Sequence, residues 1–167
     1  MWREILSKFS RYPAQEKVVR LLIQKGFGVN SRGRICVDDF EIPHSQIAEH
    51  LGVDRRVVDE TAKKIISDES LRIIFSNLRV IPFLREVAPH LGLGVIVIEA
   101  EDPQSPGIVS GVSSVIASRG ISIRQVVSDD PYFSENPRLT IITDARISPE
   151  IIEEVKKVRG VKGVTLY

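Results

Sequence analysis

One cysteine, Cys36, stands alone among 167 residues. A single thiol excludes an internal disulfide framework and a multi-cysteine zinc finger, and it fits a reducing, cytoplasmic setting. Aromatic residues are scarce, at 6% of the chain, with one tryptophan among them. No apolar run approaches the roughly 20 residues that a helix needs to cross a bilayer, so a membrane span is not expected. The opening stretch, residues 1–15, has charges inside its apolar run and no small-residue cleavage site, so a secretory leader is not expected. A dominant charge is missing as well: 23 Lys and Arg against 22 Asp and Glu leave a net +1. That balance excludes strong non-specific attraction to polyanions as the main behaviour. The chain has no P-loop, no dinucleotide-binding glycine fingerprint and no GxSxG nucleophile context. The expectation is therefore a protein without a cofactor and without catalysis.

What is present is ordinary globular material. Apolar residues make up 43% and charged residues 27%, enough for real cores. The length suits one domain or two small ones. The charge is unevenly placed. Residues 1–92 carry 15 Lys and Arg against 12 Asp and Glu, and residues 93–167 carry 8 against 10. The first part is the one suited to phosphates.

The first half reads as helical. Ile5, Leu6 and Phe9 share one face of a first helix, and Pro13 marks a break. From Ala14 to Lys25 the residues Val18, Leu21 and Leu22 follow helical spacing, widened by Val19 and Ile23, and Gly26 and Gly28 end the run. Asn30 to Gly33 is turn chemistry, and Arg34 to Val37 is a short β-prone run, together a small hairpin or an extended strand. Residues 42–66 read as two helices with a tight turn. Residues 69–91 read as a broken helical connector, interrupted at Asn77, Pro82 and Pro89. After Leu93 the pattern changes to strand, helix, strand, strand, helix, strand. That order is the split βαβ of ferredoxin-like domains. The expected fold class is α+β, with a helical region at 1–67, a connector at 68–92 and a βαββαβ domain at 93–167.

Two constellations carry function. In the first, Ala48 is the small residue needed where two helices touch, Gly52 is free to take positive φ in the turn, and Val58 anchors the second helix. Asp54 is placed to cap that helix. This segment, roughly 43–66, resembles a DNA-binding helix-turn-helix. The resemblance implies that the second helix enters the major groove N-terminus first. Arg55 and Arg56 would then meet bases or phosphates, Lys63 and Lys64 would follow along the backbone, and Ser45 would start the first helix. Asp59 and Glu60 share the outer face and oppose phosphate binding.

The second constellation is Asp102-Pro103-Gln104-Ser105-Pro106-Gly107-Ile108, between the first strand and first helix of the βαββαβ part. With Gly120-Ile121-Ser122-Ile123, it resembles an ACT domain over residues 93–167. Gln104 and Ser105 separate Asp102 from the Pro106-Gly107 pair, so the loop is slightly longer than is usual in that family. A glycine lets main-chain groups approach a ligand, and the helix N-terminus suits an anionic group. Asp102 or a main-chain carbonyl is placed to take an ammonium or hydroxyl group. The resemblance implies pairing of subunits, with a small effector such as an amino acid held between them. Ile121 to Gln125 of a second copy would close the pocket, with Arg124 or Gln125 bonding the ligand.

Other residues read as structural. His44, His50 and His90 lack metal-ligand spacing and read as surface histidines, and with Cys36 and Asp38 they give no expected metal site. Asp129 and Asp130 read as a solvated loop, and Tyr132 and Phe133 as an exposed aromatic pair suited to a partner. Together the two resemblances imply a metabolite-responsive transcription regulator, at least dimeric, with a small-molecule effector and DNA as partners. The alternative is a regulatory protein that senses a metabolite and tunes a metabolic enzyme through protein contacts.

Overall fold

Pro13 begins a helix of 13 residues, since its missing N–H costs nothing at a helix start. The computed structural model describes residues 1–167. The chain divides into two units, Met1–Ile81 and Pro82–Tyr167.

In the first unit, α1 (Trp2–Ser7) and α2 (Pro13–Lys25) are followed by three short strands, β1 (Gly28–Val29), β2 (Ile35–Val37) and β3 (Phe40–Glu41). The strands form an antiparallel sheet in the order β1-β2-β3. The expected hairpin is therefore present with one more strand. Then come α3 (His44–Leu51), α4 (Arg55–Ser67) and α5 (Glu69–Asn77). Phe9, Val18, Val19, Leu22, Ile35, Val58 and Ile65 are fully buried, as are Leu71 and Phe75 of α5. Each such side chain contributes about 1.5–3 kcal/mol relative to exposure.

Burial by α5 changes the expected layout. The segment 68–92, read as a separate connector, is divided between the units. Its first part is core of the first unit. Its last part, a short 3₁₀ turn at Ala88–Leu91, belongs to the second, where Ala88 is buried beside Val95, Val97 and Ile142. The sequence pattern showed breaks at Asn77 and Pro82 but not which side each piece would cover.

The second unit holds β4 (Gly94–Ala100), α6 (Ile108–Ser118), β5 (Ile123–Ser128), β6 (Arg138–Thr143), α7 (Pro149–Val155) and β7 (Val161–Leu166). Its sheet is antiparallel throughout, in the order β5-β6-β4-β7. This is the split βαβ arrangement expected from the sequence. Alternation sorts the side chains. Ile96, Ile98, Leu139 and Ile141 face α6 and α7, whereas Val95, Val97 and Ile142 lie under Leu84, Ala88 and Leu93. Strand β4 is central and covered on both faces, which explains its unbroken apolar run. One carboxylate links three neighbouring strands: Glu99 accepts from Arg138 at 2.5 Å and from Lys162 at 2.6 Å.

Candidate functional site

In the first unit, Gly52 ends α3 at φ 63°, ψ 39°, a left-handed conformation that lets the chain turn at once into the next helix. Asp54 caps α4 as expected, its Oδ1 accepting from the Arg56 N–H at 2.7 Å. The first turn of α4 contains no acidic residue. Arg55 and Arg56 therefore stand at the positive end of the helix dipole, where cations are disfavoured.

The expected DNA-facing cations are in different situations. Arg56 projects into solvent with no ion-pair partner for its side chain. Arg55 is also exposed, its Nε lying 3.6 Å from Asp59 Oδ2. Lys63 is paired with Glu60 at 3.3 Å. Lys64 departs from the expectation: its ammonium folds back, donating to the Lys8 carbonyl at 2.6 Å and sitting 4.6 Å above the Phe9 ring. An aromatic face and a carbonyl satisfy that cation inside the unit, so it does not reach outward. Ser45 is exposed in the first turn of α3.

His44 is the second correction. It is 6% exposed, not a surface histidine. Its Nδ1 lies 2.6 Å from Asp59 Oδ1, and its Nε2 is buried without a partner. The His44 hydrogen bond, aided by Arg55 and Lys63, holds the Asp59 carboxyl below the usual carboxylate range against the opposing effect of burial. Asp59 is therefore ionised and only accepts, which assigns the shared proton to His44 Nδ1. His50 and His90 are exposed as expected. Cys36 is buried, donates to the Arg34 carbonyl at 3.2 Å, and has its thiol pushed up by burial.

In the second unit, the β4–α6 loop borders a cavity of about 550 Å³. Asp102, Ser105, Pro106 and Gly107 line it, and residues 158–160 face them. Gly107 precedes α6 at φ 98° with no side-chain cap, so the first N–H groups of this helix stay open. Arg159, exposed and without an ion pair, stands on the rim. Gly111 permits close packing there, since a Cβ would come within 2.6 Å of Val158 Cγ1.

Asp102 is turned onto its own loop. Its carboxylate accepts from the Gln104 N–H at 2.9 Å and from Ser105 Oγ at 3.1 Å. Those bonds order the loop, and Asp102 still lines the cavity beside Glu101. Gln104 is exposed and Ile108 is buried in the core, and neither lines the cavity. The segment expected to close a partner's pocket is also occupied. Ile121 and Ile123 pack on the core beneath α6 and α7, and the Ser122 N–H donates to Asp144 Oδ1 at 3.1 Å. Gln125 is committed within its own unit, accepting from the Leu84 N–H at 3.0 Å and donating to the Pro82 carbonyl at 2.7 Å. Arg124 is exposed on β5, with its side chain unpaired.

No protein-family model matches the chain, and no curated protein does. Among solved structures, the ACT domain from GTP pyrophosphokinase of Chlorobium tepidum superposes with a TM-score of 0.35 and 20% identity, over 45% of this chain and 96% of that one. The C-terminal domain of the MgtC protein from Mycobacterium tuberculosis gives 0.34 and 18%, over 45% and 83%. A homoserine dehydrogenase from Thiobacillus denitrificans gives 0.34 and 13%, over 68% of this chain and 28% of that one. At such scores and identities the likeness says nothing about what this chain binds.

Sequence reasoning missed the rim residue Arg159 and the role of His44. Arg159 had a legible signal, because it precedes Gly160 in the turn before the last strand. The His44–Asp59 contact had none, since the two lie 15 residues apart on different helices.

Proposed function

We propose that the chain is a metabolite-responsive DNA-binding regulator, with the second unit receiving a small effector and the first unit meeting DNA. The observation that carries this reading is the cavity of about 550 Å³ at the head of α6. Its size is that of small-ligand sites, roughly 300–1,000 Å³. Open helix N–H groups and the Arg159 guanidinium suit a carboxylate, so the effector is a small acid such as an amino acid. The DNA half rests on Arg55 and Arg56, two exposed cations at the positive end of α4, a placement that an anionic partner would relieve. Subunits pair through the βαββαβ units, as ACT-like domains do, and occupancy shifts the spacing of the helices on DNA. Coupling of this kind is typically ~1–3 kcal/mol.

A thermal-shift screen with amino acids, sugars and nucleotides tests the sensing half. A bound effector at a hundred times its Kd adds about 2.7 kcal/mol to the folded state. The expected hit is an amino acid or similar acid, and it disappears in Gly107→Val. Failure of every compound to stabilise the protein would remove the reading. Gel shifts across a salt series test the other half, because DNA binding weakens steeply as salt rises.

The second reading, a protein that tunes an enzyme by direct contact, is favoured by the internal pairing of Lys63 and Lys64. It expects no shift of DNA at any salt, while the effector still binds.

A further inference from the structure

Arg55 occupies a costly position. It is the first residue of α4, where the helix dipole opposes a cation. Its ion pair with Asp59, four residues later, has the basic residue on the N-terminal side, the weaker of the two orders. His44 is costly too, because its Nε2 is buried without a partner. Tying α3 to α4 does not require this polar contact, since Ile47, Ala48 and Val58 are already buried there. What the cluster does supply is a carboxylate fixed on one side of Arg55. His44 holds one oxygen of Asp59 at 2.6 Å and leaves the other facing Arg55 at 3.6 Å. The Arg55 side chain is 63% exposed, so its guanidinium edge away from Asp59 faces solvent.

We propose that His44 is a positioning residue that fixes Asp59, and through it aims the Arg55 guanidinium at a guanine edge in the major groove of duplex DNA. The inference rests on the DNA-binding reading above and names the residues that give it sequence selectivity. A guanidinium drawn to one side by the fixed Asp59 charge is placed to donate two parallel hydrogen bonds to guanine O6 and N7, a pairing that distinguishes guanine from the other bases. The same contact explains an acid on a DNA-facing helix. Asp59 is engaged by two cationic or donor groups and does not stand free against phosphate.

The test uses the full chain and a pool of randomised duplexes. Wild-type protein selects a preferred duplex, and fluorescence anisotropy then compares that duplex with a scrambled one of equal length. His44→Leu is expected to lower the ratio of selected to scrambled affinity by about tenfold or more, the range of one bidentate base contact. His44→Asn, whose amide N–H replaces the Nδ1 donor, is expected to restore most of it. A merely structural role would weaken both duplexes alike and leave the ratio in place. Circular dichroism melts check the fold. Should His44→Leu not fold, Asp59→Asn serves instead: it keeps an acceptor for His44, and is expected to lose selectivity while binding the scrambled duplex more tightly. Full selectivity in both His44→Leu and Asp59→Asn would overturn the positioning role. Wild-type protein that binds no duplex even at low salt would overturn the DNA-binding reading itself, and this inference with it.

Discussion

At Asp68 one carboxylate accepts from Lys8 Nζ at 2.5 Å, from Ser70 Oγ at 2.7 Å and from the Leu71 N–H at 3.1 Å. It caps α5 and ties it to the end of α1. The Lys8 hydrogen bond, then those of Ser70 and Leu71, hold this carboxyl far below the usual carboxylate range. A depressed acid stabilises fully above its unfolded pKa of about 3.9, and that stabilisation is lost as pH falls toward the folded value. Asp68→Ala should therefore cost about 1 kcal/mol near neutral pH, the usual worth of a cap. The gap between variant and wild type in urea midpoint should close as pH drops below about 4. At Gly111 the constraint is space. A methyl group there would lie 2.6 Å from Val158 Cγ1. Gly111→Ala should cost about 1–3 kcal/mol of stability in the second unit, read by thermal unfolding.

Among the elements, α5 separates what the sequence displayed from what it concealed. Its helical character was plain between Glu69 and Asn77, but its membership was not, because Leu71 and Phe75 show an apolar stripe without naming the surface they cover. The structure gives them zero exposure within the first unit. Phe75→Ala should cost about 3–5 kcal/mol, measured by chemical denaturation. Strand β4 was legible for the opposite reason: Val95 to Ile98 is a β-branched run of the kind that suits a strand covered on both faces. The turn between α3 and α4 was also legible, since Gly52 and Asp54 each do a local job. Contacts between distant residues were not. Lys64 reaches Lys8 across 56 positions, and Gln125 reaches Pro82 across 43. The same gap separates the two halves of the candidate site. Residues 102–107 stood out as a loop motif, whereas Arg159, which faces them across the cavity, is brought there only by the fold.

For the whole molecule, the chain passes from one compact unit to the other between Ile81 and Pro82. Residues 78–87 form neither helix nor strand, and Arg79 within them is exposed. Limited trypsin digestion should cut first within this stretch, after Arg79 or Arg85, giving two resistant fragments whose masses identify the site. The boundary also predicts which pieces fold. A fragment ending at residue 81 retains Leu71 and Phe75 and should melt cooperatively. One ending at residue 67, the boundary expected from sequence, lacks both and should not. Circular dichroism on the two fragments decides it.

The solitary sulfhydryl offers a built-in clock. Cys36 lies shut inside β2, and its thiol is pushed toward the unreactive protonated form. A thiol-modifying reagent reaches it chiefly during excursions that open the Met1–Ile81 unit, so the rate of alkylation times those excursions. Adding an effector or a duplex to the reaction would then show, without any engineered label, whether an event elsewhere in the protein is felt at that strand.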